Sequence, residues 1–333
     1  MAIINKPVET AAVDDVVEYR YGNVGLAANT AGPGAATYTK KHIKKLHKAA
    51  QNLNPSNRRP GWLTYVFLTL VFLISIFPLF AALIYGSSTS QEMATVSGNL
   101  PRWIPSMRLF TNLNRIISNT SFSFWIAFRN SLLVSVITSA STVFFSTLAA
   151  FAFAKLNFRG KNGLYTFIIA TMAIPAQIGT IPMFIMMSRF GWIDSLRALI
   201  IPALVGAFGV FWMTQYLQDA LPYELVEAAR VDGASMIRTF WSVAWPAARP
   251  AAATLALFTF VGSWNSFFWP RIMMRSTRNF TLPLILTLLE GTFSRDVPTV
   301  LAGTFLVALP LLIAFIFLGK QLVAGVMAGA VKG

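Results

Sequence analysis

The chain has 333 residues, of which 55% are hydrophobic and 12% are charged, a composition typical of a membrane protein with several spans. Because it contains no cysteine, disulfides, thiol nucleophiles and Cys-ligated metals are excluded. The formal net charge of +15 does not indicate nucleic-acid binding, since the basic residues lie in loops and in the N-terminal tail, as the positive-inside rule requires.

Residues 1–61 are predicted to form a cytoplasmic tail, since they contain no apolar run long enough for a signal peptide. The part up to Gly34 is rich in Ala, Gly and Thr and is predicted to be disordered. The next part has apolar residues at helical spacing among lysines, at Ile43, Leu46, Ala50 and Leu53. It is either a basic amphipathic helix on the anionic cytoplasmic leaflet or a solvated tail. His42 and His47 lie among these lysines, and we expect no metal site.

Six apolar segments follow, and each is long enough to cross about 30 Å of hydrocarbon. They are placed near residues 62–85, 128–154, 164–187, 198–217, 250–270 and 299–319. With the N-terminus inside, 17 of the 27 Lys and Arg residues fall in cytoplasmic segments, so both termini are predicted to be cytoplasmic. The sequence therefore predicts an all-α membrane protein whose six transmembrane helices occupy residues 62–333.

The last outer loop contains an apolar piece, residues 281–289, that is too short to span a membrane. We expect a short helix against the outer face of the bundle. It either offers a docking surface for a partner or simply packs against the bundle.

The interiors of the six segments contain no Asp, Glu, Lys, Arg or His. This argues against a proton-driven carrier, which needs such groups at membrane depth, although a sodium site made of carbonyls and hydroxyls remains open. The phosphate-binding pattern G-x-x-x-x-G-K-[ST] is also missing, so a partner must bind ATP if ATP drives transport. Neither H-E-x-x-H nor G-x-S-x-G occurs, and we expect no enzyme activity and no cofactor bound by this chain.

A stripe of hydroxyl residues runs along the second segment, at Ser131, Ser135, Thr138, Ser139, Thr142 and Ser146. It predicts close helix packing with interhelical hydrogen bonds, and a lining of the solute path is the alternative. Prolines are expected to kink the third and fourth segments, at Pro175, Pro182 and Pro202.

Neutral amides at or near membrane depth are candidates for the solute path, because they suit a hydroxyl-rich solute better than an ion. They are Gln177, Gln215 and Asn265. Trp264, which precedes Asn265 in a stretch rich in aromatic residues, is the fourth candidate for the solute path. These aromatic residues are expected either to stack on a sugar face or to anchor the helix at the membrane interface.

The largest amphipathic stretch between apolar segments is Glu224–Pro246, which the charge count places in the cytoplasm. Its pattern predicts a helix, a tight turn and a second helix. Gly233 permits the positive φ that a tight turn needs, and either Asp232 or Ser235 is predicted to cap the second helix.

This stretch resembles the EAA loop of bacterial ABC-importer permeases, in which an EAA triplet is followed by DGA, an aromatic residue and a proline. The matching residues are Glu227, Ala228, Ala229, Asp232, Gly233, Ala234, Phe240, Pro246 and Pro250. Three further features resemble the maltose-type, MalG-like sugar permeases, namely Asn130-Ser131, Trp264–Pro270 and Gly325–Gly333. The resemblance covers about residues 62–333.

The resemblance implies a type I ABC-importer permease fold, with a cytoplasmic EAA coupling helix between spans 4 and 5 in a loop at 220–249. It implies a sugar or oligosaccharide importer of the bacterial inner membrane, in which this chain forms half of the translocation pathway. The implied partners are a MalF-like second permease, two ATP-binding subunits that use ATP and magnesium, and an extracytoplasmic sugar-binding protein. The residues implied to couple to the ATPase are Glu227, Ala228, Ala229, Arg230, Asp232, Gly233, Ala234, Phe240 and Pro246.

The chain departs from the family pattern in two places. The tail is longer than usual, and Val243 and Trp245 stand where Ile and Leu are common, which are changes within the apolar class. An ABC importer of a non-sugar solute, such as glycerol phosphate or a polyamine, is the alternative function. A secondary carrier is the alternative from another class.

Overall fold

The computed structural model describes residues 61–95, 103–289 and 296–330, and no strand occurs among them. The predictions for the tail before Gly61, including its amphipathic segment and its two histidines, lie outside these residues. The chain divides into two compact units, Met1–Leu73 and Ile74–Gly333. The described part of the first unit is helical, and its side chains are exposed.

The described residues form fourteen α-helices, numbered α1–α14 in chain order. They are α1 (Trp62–Gly86), α2 (Ser90–Thr95), α3 (Arg108–Ile117), α4 (Phe124–Lys155), α5 (Lys161–Thr171), α6 (Thr180–Arg189), α7 (Arg197–Ile200), α8 (Ala207–Ala220), α9 (Tyr223–Val231), α10 (Met236–Thr239), α11 (Trp245–Trp264), α12 (Phe268–Met273), α13 (Leu282–Leu289) and α14 (Val297–Ala330).

Four stretches of the described chain are long and apolar enough to cross a membrane, and they overlap the first, second, fourth and sixth predicted spans. They are Trp62–Gly86, Phe124–Lys155, Arg197–Ala220 and Val297–Ile316. Within the third of them a short 3-10 turn, Ile201–Ala203, follows α7 and carries Pro202. The last helix continues to Ala330, so part of the family-like C-terminal stretch is helical.

The predicted third span is broken. The stretches Lys161–Thr171 and Ala176–Arg189 are bent by 90° relative to each other. Pro175 lies in this break with a ψ of 126°, outside the helical region. Its ring and its missing N–H prevent a continuous hydrogen-bond ladder, whereas Pro182 in the first turn of α6 is tolerated.

The predicted fifth span corresponds to α11, which begins at Trp245, earlier than the predicted boundary at 250. Its first two turns contain Pro246, Arg249 and Pro250, which lower its apolar character, and it is not among the four stretches. Counting the bent pair as one span gives up to five spans among the described residues. The count of six therefore stays a prediction.

Two hydrophobic clusters occupy opposite ends of α4 and α11 in the second unit, and α8 contributes to the first of them. The proximal cluster lies beside α9 and α10 and consists of Val143, Ala150, Phe151, Met213, Leu217, Leu221, Val226, Phe240, Ala244, Ala248, Ala251, Ala252 and Leu255. The distal cluster includes Phe124, Ala127, Val134, Trp264, Leu282, Leu284 and Ile285. The three buried alanines of α11, Ala248, Ala251 and Ala252, allow its backbone to approach its neighbours closely.

The hydroxyl stripe of α4 forms hydrogen bonds to neighbouring segments, as the packing interpretation predicts. Ser139 Oγ donates to the Ala256 carbonyl at 2.7 Å, and Thr259 Oγ1 lies 3.1 Å from Ser139 Oγ. Thr142 Oγ1 donates to the Ala203 carbonyl at 3.0 Å. These bonds hold α4 to α11 and to the 3-10 turn that follows α7.

Asn130 and Ser131, at the start of the stripe, fix the segment before α13. Asn130 Nδ2 donates to the carbonyls of Arg278 and Phe280, at 2.9 and 3.0 Å. Ser131 Oγ accepts the N–H of Leu282 at 2.8 Å. The backbone between α12 and α13 is therefore satisfied by side chains of α4.

Asp194 holds the same segment from another side. It adopts a φ of 59°, and its carboxylate accepts the N–H groups of Arg275 and Ser276 and the Ser276 hydroxyl. Burial raises the pKa of the Asp194 carboxyl, but the hydrogen bonds from Ser276 and Arg275 outweigh burial and lower the pKa to about 2. The folded loop therefore stabilises the charged form of the Asp194 carboxyl.

The apolar piece at 281–289 is a short helix, as predicted. Within α13, Leu282, Leu284 and Ile285 are buried in the distal cluster. This supports packing against the bundle as the role of these three side chains.

Candidate functional site: a helix-turn-helix and a hydroxyl-lined cavity

The turn after α9 accounts for the DGA triplet. The N–H of Gly233 donates to the Arg230 carbonyl at 3.0 Å, and the N–H of Ala234 donates to the Ala229 carbonyl at 2.9 Å. This is the Schellman motif, in which a glycine follows the C-cap residue, here Asp232. Gly233 has a φ of 78°, and no atom lies within 4 Å of the position that a Cβ would take. Conformation rather than space therefore requires glycine here.

Ser235 begins the second helix of this turn. Its Oγ accepts the N–H of Arg238 at 3.3 Å, and its backbone is extended, as expected of an N-cap. Of the two predicted caps, Ser235 therefore caps α10, whereas Asp232 ends α9. The predicted order of helix, tight turn and helix is found at these residues.

The tip of the helix-turn-helix exposes apolar side chains. Val231 is 87% exposed and Ile237 is 73% exposed, on either side of the turn. The predicted coupling residues Glu227, Ala228, Arg230, Asp232 and Gly233 are also exposed, as is Pro246, while Ala229 and Ala234 are half-buried. Single exposed apolar residues are ordinary, but two on one short turn among charged groups make this tip a candidate contact surface.

Phe240 points the other way, into the protein. It is 2% exposed and belongs to the proximal cluster, where its ring lies against those of Phe144 and Phe151 on α4. The chain around it, Phe240–Ala244, forms one π-helical turn that leads into α11. Phe240 is therefore the anchor that joins the loop to the helices.

Lys155 lies at the same junction. It is 8% exposed, the only buried Asp, Glu, Lys or Arg among the described residues. Its Nζ donates to the carbonyl of Gln218 at 3.0 Å and so ties the end of α4 to the end of α8. Val226, on the inner face of α9, is buried in the proximal cluster.

The four predicted solute-path residues are not brought together. Gln177 is exposed beside the break at Pro175, and Gln215 is exposed with its amide bonded to Tyr165. Trp264 is 1% exposed, and its indole N–H donates to the Val307 carbonyl, so it is a core residue of the distal cluster. Asn265 is the exposed C-cap of α11. Their role in a solute path stays a prediction.

A cavity of about 460 Å³ lies between the two clusters. Its walls come from α4, from the stretch 199–209, and from α11 with the segment that follows it. The polar side chains that line it are the hydroxyls of Ser131, Thr138, Thr142, Thr259, Ser263, Ser266 and Thr281 and the indole of Trp269. None of the four predicted solute-path residues lines it, whereas Ser131, Thr138 and Thr142 belong to the stripe whose alternative interpretation was a path lining.

Metal-binding side chains are not clustered in the described part of the chain. No group of three or more His, Cys, Asp or Glu residues is close enough there to hold an ion.

Apolar helices of spanning length, a cavity with hydroxyl groups between them and an exposed helix-turn-helix are typical of a membrane transport subunit. The family described as "Binding-protein-dependent transport system inner membrane component" matches residues 142–321. The chain belongs to this family.

Relatives match over nearly their whole length. The arabinooligosaccharides transport system permease protein AraQ of Halalkalibacterium halodurans is 30% identical, and the match covers 82% of this chain and 97% of AraQ. The lactose transport system permease protein LacG of Rhizobium radiobacter is 29% identical over 83% of this chain and 97% of LacG.

A chain of a crystal structure of a bacterial ABC transporter involved in the import of the acidic polysaccharide alginate has the same fold. Its TM-score is 0.65 at 21% identity, over 86% of this chain and 99% of that chain.

Proposed function

We propose that this chain is a permease of an ABC importer for a sugar or oligosaccharide and forms half of the translocation pathway. The names of AraQ and LacG support a saccharide solute. The hydroxyl-lined cavity supports it too, because none of its lining residues is Asp, Glu, Lys, Arg or His. A neutral polyhydroxyl solute is compatible with such a wall, whereas an ion lacks a counter-charge there.

The proposed topology has six spans in residues 62–333, with the tail and both termini in the cytoplasm. The four apolar stretches supply four spans, and α5–α6 and α11 supply the other two. The distribution of Lys and Arg supports this orientation. The helix-turn-helix at 223–246 then faces the cytoplasm.

The proposed partners are a second, MalF-like permease, two ATP-binding subunits and an extracytoplasmic sugar-binding protein. Because this chain lacks a phosphate-binding loop, ATP and magnesium are assigned to the ATP-binding subunits. The exposed tip around Gly233 is assigned to contact them.

One observation carries the coupling assignment. Val231 and Ile237 are held outward on a turn whose shape is fixed by Gly233 and Ser235, while Val226 and Phe240 on its other side are buried. A displacement of the tip therefore moves the proximal cluster and the helices α4, α8 and α11 with it, since a close-packed cluster transmits strain.

The replacement Gly233→Val tests the assignment. A β-branched residue is strained at a φ of 78°, so the turn opens and Val231 and Ile237 lose their relative position. We expect at least a tenfold loss of ATP-driven sugar uptake by the assembled importer, together with loss of the ATPase subunit on purification, at normal membrane insertion. Exchange of Glu227 on the same surface is expected to act in the same direction.

Gly233→Asn is the matched control, because asparagine tolerates the left-handed region better than valine does. It is expected to retain most of the uptake. Normal uptake and a normally bound ATPase in the Gly233→Val importer would show that the helix-turn-helix does not couple to the ATPase.

A further inference from the structure

The cavity between the two clusters has the size and the position of a binding site. Its volume of about 460 Å³ lies within the range of roughly 300–1,000 Å³ that small-molecule sites occupy. It touches α4 at Ser131–Thr142 and α11 at Thr259–Ser263, between the parts of these helices that form the proximal and distal clusters.

Thr281 is the unusual residue of the wall. It is 5% exposed, yet its hydroxyl has no hydrogen-bond partner in the protein. Four buried side-chain oxygens of the described residues share this lack of a partner, and Thr281 is the one that lines the cavity; the others are Asn130 Oδ1, Ser135 Oγ and Ser146 Oγ. A buried hydroxyl without a partner is costly, so a ligand atom at this place is favoured.

Three other hydroxyls of the wall, those of Thr138, Thr142 and Thr259, donate to backbone carbonyls and keep acceptor capacity. Thr142 donates to Ala203, and Thr259 donates to Leu255. A hydroxyl that donates still has free lone pairs, so this wall accepts hydrogen bonds from hydroxyl groups of a solute.

Aromatic and glycine residues complete the cavity. The rings of Trp269 and Phe208 border it, and the indole N–H of Trp269 is used by the Ala198 carbonyl, which fixes the ring. At Gly206 and Gly262 no atom lies within 4 Å of a Cβ position, so these glycines leave the space open. Apolar faces combined with a few placed polar groups are the usual composition of a small-molecule site.

We propose that this cavity is a solute-binding site of this subunit itself, and that it takes one neutral sugar ring, with the Thr281 hydroxyl bonded to a ring hydroxyl. The inference rests on the proposed import of a saccharide. It adds that this chain contacts the solute directly, at residues other than Gln177, Gln215, Trp264 and Asn265.

Thr281→Val is the first test, because it removes the hydroxyl without changing the shape of the side chain. No protein hydrogen bond is lost, so the fold is expected to be at least as stable as before. The importer assembled from all its subunits is placed in proteoliposomes, and uptake is measured with the best-transported member of a panel that contains lactose and arabinooligosaccharides. We expect the apparent KM to rise roughly 3- to 10-fold, the effect of one lost hydrogen bond.

Ser146→Ala is the matched control. Ser146 also has a buried hydroxyl without a partner, but it does not line the cavity. Its removal is expected to leave the KM unchanged. An equal KM in the Thr281→Val importer would overturn the proposal.

Gly262→Leu is the second test, because Gly262 lines the cavity and no atom lies within 4 Å of its Cβ position, so a leucine adds bulk at the wall. Leucine is a better helix former than glycine, so α11 is not weakened. We expect uptake to fall at least tenfold. Gly163→Leu on α5, also without a neighbour within 4 Å of its Cβ position, is the control and is expected to transport normally.

The ATPase activity separates the two proposals. Stimulation of ATP hydrolysis by the loaded binding protein tests the coupling, and in both cavity variants it is expected to stay above half of the original value. Normal uptake in both variants would mean that the cavity is only a water-filled packing space, which contradicts this inference. The proposed sugar function would not be affected by that result. Failure of the unaltered importer to take up any saccharide of the panel contradicts the proposed function and, with it, this inference.

Discussion

The proximal cluster under the helix-turn-helix and the cavity both lie along α4, α8 and α11 but are built in opposite ways. The proximal cluster under the turn is made of alanines, aliphatic residues and the ring of Phe240. At its edge, the ammonium group of Lys155 donates a hydrogen bond to a backbone carbonyl. The cavity wall combines hydroxyls with glycines, prolines and apolar side chains, and the Thr281 hydroxyl lacks a partner in the protein. One region is packed to move as a unit, and the other keeps room and hydrogen-bonding capacity.

This contrast indicates a division of labour along α4, α8 and α11. A close-packed cluster has two or few arrangements and transmits a displacement, whereas a lined space changes its shape when its walls move. A shift of the exposed turn therefore reaches the cavity through the alanine-rich contact of α11 with α4. Substitutions can weaken this connection at the anchor, at the cavity wall and at the loop that supports the wall.

The largest effect is expected from Phe240→Ala, which removes the anchor of the turn. Truncating a buried phenylalanine costs about 3–5 kcal/mol, and here the lost contacts are those with the rings of Phe144 and Phe151. Thermal unfolding of the purified chain should show a clearly lowered midpoint. In the assembled importer, ATP hydrolysis should continue with little sugar uptake, because the tip still docks but is no longer joined to the helices.

Trp241→Ala is the control for this change. Trp241 follows Phe240 and lies against the rings of Phe144 and Phe240, but it is 51% exposed, so its truncation removes less packing. The loss of stability should be less than half as large. Equal effects of the two changes would refute the anchoring role of Phe240.

The helix-turn-helix could be predicted from sequence because its information is local. Gly233 and Ser235 act within a few residues of themselves, one through its backbone angle and the other through an N-cap, and both conclusions follow from residue type and spacing. The broken third span was partly predictable for the same reason, since Pro175 marks the break.

The cavity could not be predicted because its walls come from segments far apart in sequence. Thr281, Thr142 and Thr259 line one cavity only because α11 and the segment before α13 both pack against α4, and nothing in their local pattern distinguishes them from packing hydroxyls. Trp264 shows the reverse case: its aromatic setting left stacking on a sugar and anchoring of the helix both open, and its burial against Val307 is set by contacts with a distant helix. The role of Asp194 was not predicted either, since it depends on contacts with residues about eighty positions later.

Asn130→Ala should have an intermediate effect, located at the cavity. The change leaves the carbonyls of Arg278 and Phe280 without their donor, at a cost of about 1–3 kcal/mol for a buried group. The segment that carries Thr281 is then held less firmly. We expect a lowered unfolding midpoint and a several-fold higher KM for sugar uptake, with normal binding of the ATPase.

Asn112→Ala provides the matched control for this prediction. Asn112 is also buried and also donates to two carbonyls, those of Gly86 and Ser88, but it lies away from the cavity. It should lower the unfolding midpoint by a similar amount and leave the KM unchanged. If both changes raise the KM equally, the effect is one of general stability and not of the cavity wall.

The smallest effect is expected from Asp194→Asn, which weakens the loop that supports the cavity wall. The pKa of Asp194 is lowered to about 2 in the folded chain from an ordinary 3.8, so its charge stabilises the fold above pH 4, and this contribution disappears as the pH falls from about 4 to about 2. Asparagine keeps the φ of 59° accessible and one acceptor oxygen, and the carboxyl is partly exposed, so the loss should stay below about 2 kcal/mol. Thermal unfolding midpoints are measured between pH 2 and 6. As the pH is lowered from about 4 to about 2, the midpoint of the original chain should decrease more than that of the variant. Parallel curves of midpoint against pH would contradict the role of the charge.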